Sequence, residues 1–167
     1  MKSRFLRILA KLGMFFLLIL CGCADTKMTG PTPGPTGTPI PLNESTWIGT
    51  EYGQTVQWKA VFWTDPSDLS LRYSLANETN TEFFLGTYSV NQGADPWQID
   101  LYVTDVSDPT NIGKTALGIY RITLTTLSLC FTAPGEGIRP TSFSAHTGPG
   151  LHQRFFVMTY EPPPTPT

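Results

Sequence analysis

The chain is poor in charge. Lys, Arg, Asp and Glu make up 14% of its 167 residues, well below the roughly 25% of an ordinary soluble domain. It has two histidines, His146 and His152, and three cysteines, of which only Cys130 lies in the body of the chain. A lone cysteine cannot close an internal disulfide, so a covalently stapled framework is excluded. Cys130 is expected to be a small buried or half-buried strand residue. The sequence contains no Gly-x-Ser-x-Gly, no His-Glu-x-x-His, no phosphate-binding loop and no dinucleotide fingerprint. Asp105, Asp108 and Asn111 share an oxygen-rich loop, but their spacing matches no calcium motif. The expectation is a protein without a catalytic centre, a metal or a cofactor.

Basic residues are scarce where a polyanion would need them. Four of the eleven, Lys2, Arg4, Arg7 and Lys11, sit at the N-terminus, leaving seven against thirteen acidic residues in the rest. A surface of that sign is ill suited to phosphate backbones or to anionic lipid headgroups, which excludes nucleic acid as a partner.

The same four cations open a segment with a purpose of its own. They precede an apolar run from Leu12 to Leu20, of signal-peptide length and too short to span a bilayer comfortably. Leu20-Cys21-Gly22-Cys23 follows and resembles a lipobox: an aliphatic residue, two small ones, then the cysteine to be acylated. Cys23 is the expected lipidation site. Cys21 fits less well, because Leu20 would then occupy the cleavage position. Acylation of both the thiol and the new amine gives more than one chain, enough for stable rather than marginal anchoring. Residues 1–23 are thus read as a lipoprotein signal peptide, the protein as exported to the cell envelope, and the membrane as a partner through the lipid anchor. Ala24, rather than an aspartate, favours the outer over the inner membrane.

Residues 24–42 are dominated by Pro, Gly and Thr and are read as a spacer, part flexible and part polyproline II. Residues 162–167 form a similar proline-rich tail, which bounds a folded domain at 43–161. Inside it, period-two alternation is the main signal. It is plain in Leu69–Leu75, Trp97–Val103 and Thr126–Thr132, and weaker in Thr46–Tyr52, Val56–Trp63, Glu82–Val90, Ala116–Thr123, Ser142–His146 and Gln153–Tyr160. Turn formers separate these segments, and no helical period appears. The expected fold is all-β: an antiparallel meander of eight or nine strands, closed as a barrel or, alternatively, stacked as a sandwich, since such a sheet must manage its edges.

Three groups of residues carry a family resemblance. They are Leu42, Trp47 and Gly49; then Gly86-Thr87-Tyr88 with Pro96-Trp97-Gln98-Ile99-Asp100-Leu101; then Gly118-Ile119-Tyr120-Arg121, Leu127-Ser128-Leu129-Cys130 and Gly137-Ile138-Arg139-Pro140 with Phe143. In this order they resemble a family of uncharacterised exported domains of planctomycete-type bacteria, described as lipocalin-like, over about residues 43–160. The segment Glu51–Thr81 matches loosely, and Trp47-Ile48-Gly49 reverses the Gly-x-Trp of true lipocalins. The resemblance implies a lipocalin-like barrel and carries no activity. It also implies a barrel-closing pair in which an arginine lies across an early tryptophan: Trp47 with Arg139, or with the rival Arg154.

The remaining candidates concern the interior. Tyr120 and Arg121 are adjacent on one strand, so only one of them points inward. Asp100 falls out of phase with Trp97, Ile99, Leu101 and Val103 and is expected to face solvent or, if that face lines the lumen instead, to be a polar anchor beside Gln98 and Tyr102. Trp58, Tyr88, Trp97 and Tyr120 are the candidate ligand-lining residues. A barrel of about eight strands either fills itself or encloses a small ligand. Two functions follow: a lipid-anchored barrel binding a small apolar ligand, or a non-catalytic structural or interaction module with a filled interior and an exposed aromatic patch.

Overall fold

Alternation turns into strand almost wherever it occurs. The structure, a computed structural model, describes residues 40–148 and 151–165. The signal segment, Cys23 and all of the spacer before Ile40 lie outside the described residues. Nine strands run in order: β1 Ser45–Glu51, β2 Gln57–Thr64, β3 Leu71–Asn77, β4 Phe83–Asn91, β5 Trp97–Val106, β6 Thr115–Thr123, β7 Thr126–Thr132, β8 His146–Gly148 and β9 Leu151–Glu161. Each of β1 to β7 pairs antiparallel with the next; β9 then pairs with both β7 and β1. Eight strands therefore close an antiparallel meander barrel, and the sandwich alternative is set aside. β8 is a short flap that pairs only with the start of β9.

Closure explains how so light a chain manages its edges. The seam runs from Thr46↔Glu161 to Glu51↔Phe156, leaving no long unpaired edge to template aggregation. One irregularity adjusts the wall. On β5, alternation places Ile99, Leu101 and Val103 inside, but Val106, not Asp105, is the next buried residue. A bulge opposite Leu85 and Gly86 absorbs the extra residue and keeps the carboxylate of Asp105 out of the core. Gly86 itself has no room for a side chain: a Cβ there would collide with the Tyr102 carbonyl and press on the Tyr73 ring.

The core is the barrel interior. Trp47, Phe62, Tyr73, Leu75, Ile99, Leu101, Tyr120, Leu127, Leu129, Phe131 and Phe156 are all essentially inaccessible. Ile40 and Leu42 join it, Leu42 at 6% exposure, so the packed unit begins before residue 43. The reason is mechanical: the Ser45 hydroxyl bonds the Leu42 carbonyl and turns the incoming chain over the mouth of the barrel. Leu69, by contrast, is in phase with β3 but stands 78% exposed with φ +58°, in the turn before the strand.

A second layer lies outside the wall. Ile119 and Cys130 point away from the interior yet are buried, because residues 133–145 fold back across β6, β7 and β9. Thr132 donates to the Ile138 carbonyl at 2.8 Å, and Gln153 donates to the carbonyls of Ser142 and Ser144. The Cys130 thiol donates to Ser144, and burial raises its pKa, the reverse of what an activated thiol needs. Strand character survives in only the last residue of the expected Ser142–His146 segment, since the rest is this strap.

Candidate functional site

The two ends of the barrel are built from different chemistry. One holds Glu51, Trp58, Phe84, Phe131, Arg154 and Phe156. Arg154 shares the inward phase of Phe156, Met158 and Tyr160 on β9. Its guanidinium lies 4.7 Å from the Trp58 ring centre, 5.2 Å from that of Phe156 and 5.6 Å from that of Phe84. Its donors reach Glu51 twice, at 3.1 and 2.6 Å, and Glu82 once. A planar, permanently charged fork suits this place because its faces stack while its edges bind carboxylates. The ion is held by opposite charge on its rim, so its burial is compensated.

The Trp47–Arg139 pair does not form. Trp47 is fully buried at the opposite end, its edge against Tyr160 at 5.5 Å and its indole N–H donated to Ser45 at 2.7 Å. Arg139 sits on the outer wall, giving its donors to the carbonyls of Ile99 and Gly118, at 3.0 and 2.6 Å, and to Asp100. It is a rivet for the strap, and the arginine stacked on tryptophan is the rival, Arg154, on Trp58. Asp100 faces outward as expected, but as Arg139's partner. The last group of resembling residues thus converges in space: Gly118 receives Arg139, Pro140 is buried, and Phe143 carries Arg121 4.9 Å above its ring.

All four candidate ligand-lining residues lie on the interior side, and they do not form one site. Trp58 belongs to the Arg154 end, packed edge-on against Phe156 at 5.4 Å. Tyr88 packs against Phe62 at 5.2 Å near the other end. Burial, with the neighbouring Tyr120 and Glu44 adding to it, pushes the Tyr88 phenol up to about 12. Among the described residues the buried hydroxyls of Tyr88 and Tyr73 have no hydrogen-bond partner, and burial raises the Tyr73 phenol as well. Trp97 and Tyr120 face each other at 5.5 Å. Between the rings at the Arg154 end, Phe131 stacks on Phe156 at 5.6 Å and meets Phe84 edge-on at 6.1 Å, so that half of the lumen is filled by side chains.

The principal concavities open on the surface. One of about 550 Å³ separates the Pro162–Pro164 tail from β1 and β2, where Lys59 is already engaged by Glu161 at 2.8 Å. Another of about 300 Å³ lies beside Trp97 and Tyr120, between Asp95 and Arg121. On the outer wall, Tyr52 stacks on Phe155 at 5.8 Å, and Phe155 meets Phe143 at 6.1 Å. With Arg121 over Phe143 this is a continuous aromatic strip, Tyr52 being 66% exposed. Among the described residues no group of three His, Cys, Asp or Glu side chains could hold a metal. Asp108 is occupied as a cap, accepting from the N–H and hydroxyl of Thr110, which hold its carboxyl below the usual range.

The interior role of Arg154 had a signal in the sequence, the phase of β9. Those of Glu51 and Glu82 had none, since they meet Arg154 only through closure. No family model, no curated protein and no solved structure matches the chain.

Proposed function

We propose that the chain is an exported, lipid-tethered β-barrel that acts by binding at its outer surface, without catalysis and without carrying an apolar ligand in its lumen. One observation supports the reading: at the Arg154 end the space in which a lipocalin-like barrel would hold its guest is occupied by the barrel's own rings, and Leu42 is buried in the same core. Binding is then left to the wall, where exposed Tyr52 continues through half-buried Phe155 and Phe143 to Arg121. The tether rests on the lipobox-like Leu20–Cys23, and the resemblance to exported lipocalin-like domains agrees with it.

A second reading, a small guest inside, is favoured by the hydroxyls of Tyr73 and Tyr88, which are buried with nothing to bond. Mass spectrometry of the protein extracted from its host membranes separates the two. The expected denatured mass is that of a chain beginning at Cys23 and bearing acyl groups, with no further mass under native conditions. A reproducible native excess, lost on denaturation, overturns the filled barrel. An unacylated chain overturns the tether.

A further inference from the structure

The cleft beside Trp97 has features that a filled, passive barrel does not need. β5 begins at Trp97, paired with Tyr120, whereas β6 continues to Thr123 in partnership with β7 alone. On the β5 side, the edge of β6 from Arg121 to Thr123 is therefore uncovered, and it forms one wall of the cleft. Trp97 is only partly buried and forms the floor with Tyr120. Gln92 donates to the Tyr120 hydroxyl at 3.0 Å, which fixes the phenol and leaves its proton without an acceptor among the described residues. At the rim stand Asp95 and Arg121, and among the described residues neither makes an ion pair.

The combination restricts the ligand. An apolar molecule would desolvate both rim charges without replacing their hydrogen bonds. An anion would face Asp95, and a cation would face Arg121. A neutral ring bearing hydroxyls satisfies the exposed groups: it donates to Asp95, accepts from Arg121, exchanges bonds with the bare β6 edge, and lays its C–H face on the indole. The volume of about 300 Å³ is of single-ring scale. An added peptide strand fits less well, because the open edge is only Arg121–Thr123 and Pro96 has no N–H to contribute. Arg121, which lines the cleft, also lies over Phe143, the first ring of the strip that runs through Phe155 to Tyr52.

We infer that the cleft between Trp97, Tyr120, Asp95 and Arg121 binds one pyranose unit of a neutral glycan chain. This deepens the outer-surface reading and rests on it. The test is a titration of the full chain in detergent with cellotetraose, maltotetraose, tetra-N-acetylchitotetraose and glucose, following the indole N–H resonance of Trp97, which Trp97→Phe identifies. At least one tetrasaccharide is expected to shift that resonance saturably and to bind more tightly than glucose. Trp97→Ala, which deletes the reporter and is therefore read by isothermal titration calorimetry, should weaken binding about tenfold, the scale of one lost aromatic contact. Asp95→Asn and Arg121→Gln, both at exposed rim positions, should each weaken it several-fold with the unfolding temperature unchanged.

No saturable shift with any tetrasaccharide overturns the inference, and so does binding that none of the three variants alters. A response to a peptide of residues 29–42, with none to sugars, overturns it in favour of strand addition at the β6 edge. None of these failures produces the native mass excess that would overturn the filled barrel, so the two readings fail separately.

Discussion

The two ends of the barrel solve one closure problem in opposite ways. At one, Arg154 satisfies three aromatic faces and two carboxylates at once, and each of its partners is spent in doing so. At the other, closure is apolar: Leu42 and Trp47 are buried in one core, while among the described residues the Tyr88 hydroxyl has no partner and that of Tyr120 only accepts from Gln92. The first end has its charges paired with one another. The second has spare donors, an uncovered strand edge and the Trp97 cleft. The proposed division puts stability at the saturated end and binding at the unsaturated one, as expected where strong interactions cannot serve both purposes.

The largest effect should come from breaking the saturated end. Arg154→Ala removes the stacked guanidinium and leaves Glu51, 19% exposed, facing a ring cluster without its counter-charge. A cost of about 3 kcal/mol is expected, at the low end of the range for buried pairs because Glu82 remains 45% exposed. For a domain of this size that lowers the melting temperature by about 10 °C. Thermal unfolding by circular dichroism reads it directly. A loss under 1 °C would mean that the three rings close this end without the arginine.

Next in size is the apolar plug. Leu42→Ala removes a buried side chain at the linker end and should cost about 2 kcal/mol, the lower end of the range for such truncations, because the mouth can partly collapse. The same measurement checks it. The informative comparison is with Arg154→Ala: if the ends close independently, the double variant should lose the sum of the two single losses. A marked departure from additivity would mean that one end reports on the other through the shared ring stack.

These contrasts bear on what the sequence could reveal. Strand order and phase were legible because a closed meander repeats one local rule, and Trp97, Ile99, Leu101 and Val103, like Leu127, Leu129 and Phe131, point inward as alternation predicts. The site was less legible because it depends on where phases end. That β6 outruns β5 by three residues, making the cleft, follows from register rather than from pattern. Arg139 and Arg154 are alike as residue types. Their roles are decided by the strap of residues 133–145 and by the seam with β1, both of them long-range pairings. The bulge at Gly86 likewise shifts the phase of β5 after Val103, beyond the point at which simple alternation places Asp105 inside.

The smallest effect is the most discriminating for the linker end. Tyr88→Phe deletes a buried hydroxyl that has no partner, so stability at neutral pH should be unchanged or should rise by up to about 1 kcal/mol. Its pH dependence has a defined sign. The Tyr88 phenol is raised to about 12 in the folded chain, against about 10 in an unfolded one. Between these values the unfolded state sheds the proton first and the folded state still binds it. The stability that rests on keeping the phenol neutral is whole below about pH 10 and is lost as pH climbs toward 12. Tyr88→Phe should therefore flatten the fall in melting temperature over that window, and Tyr73→Phe should do the same, since burial raises that phenol too. If Tyr88→Phe instead destabilises the protein at neutral pH by more than about 1 kcal/mol, the hydroxyl has a bonded guest or water, because only a satisfied buried donor is costly to delete. The linker end would then be saturated like the other, and the contrast between the two ends would fail at the residue on which it most depends.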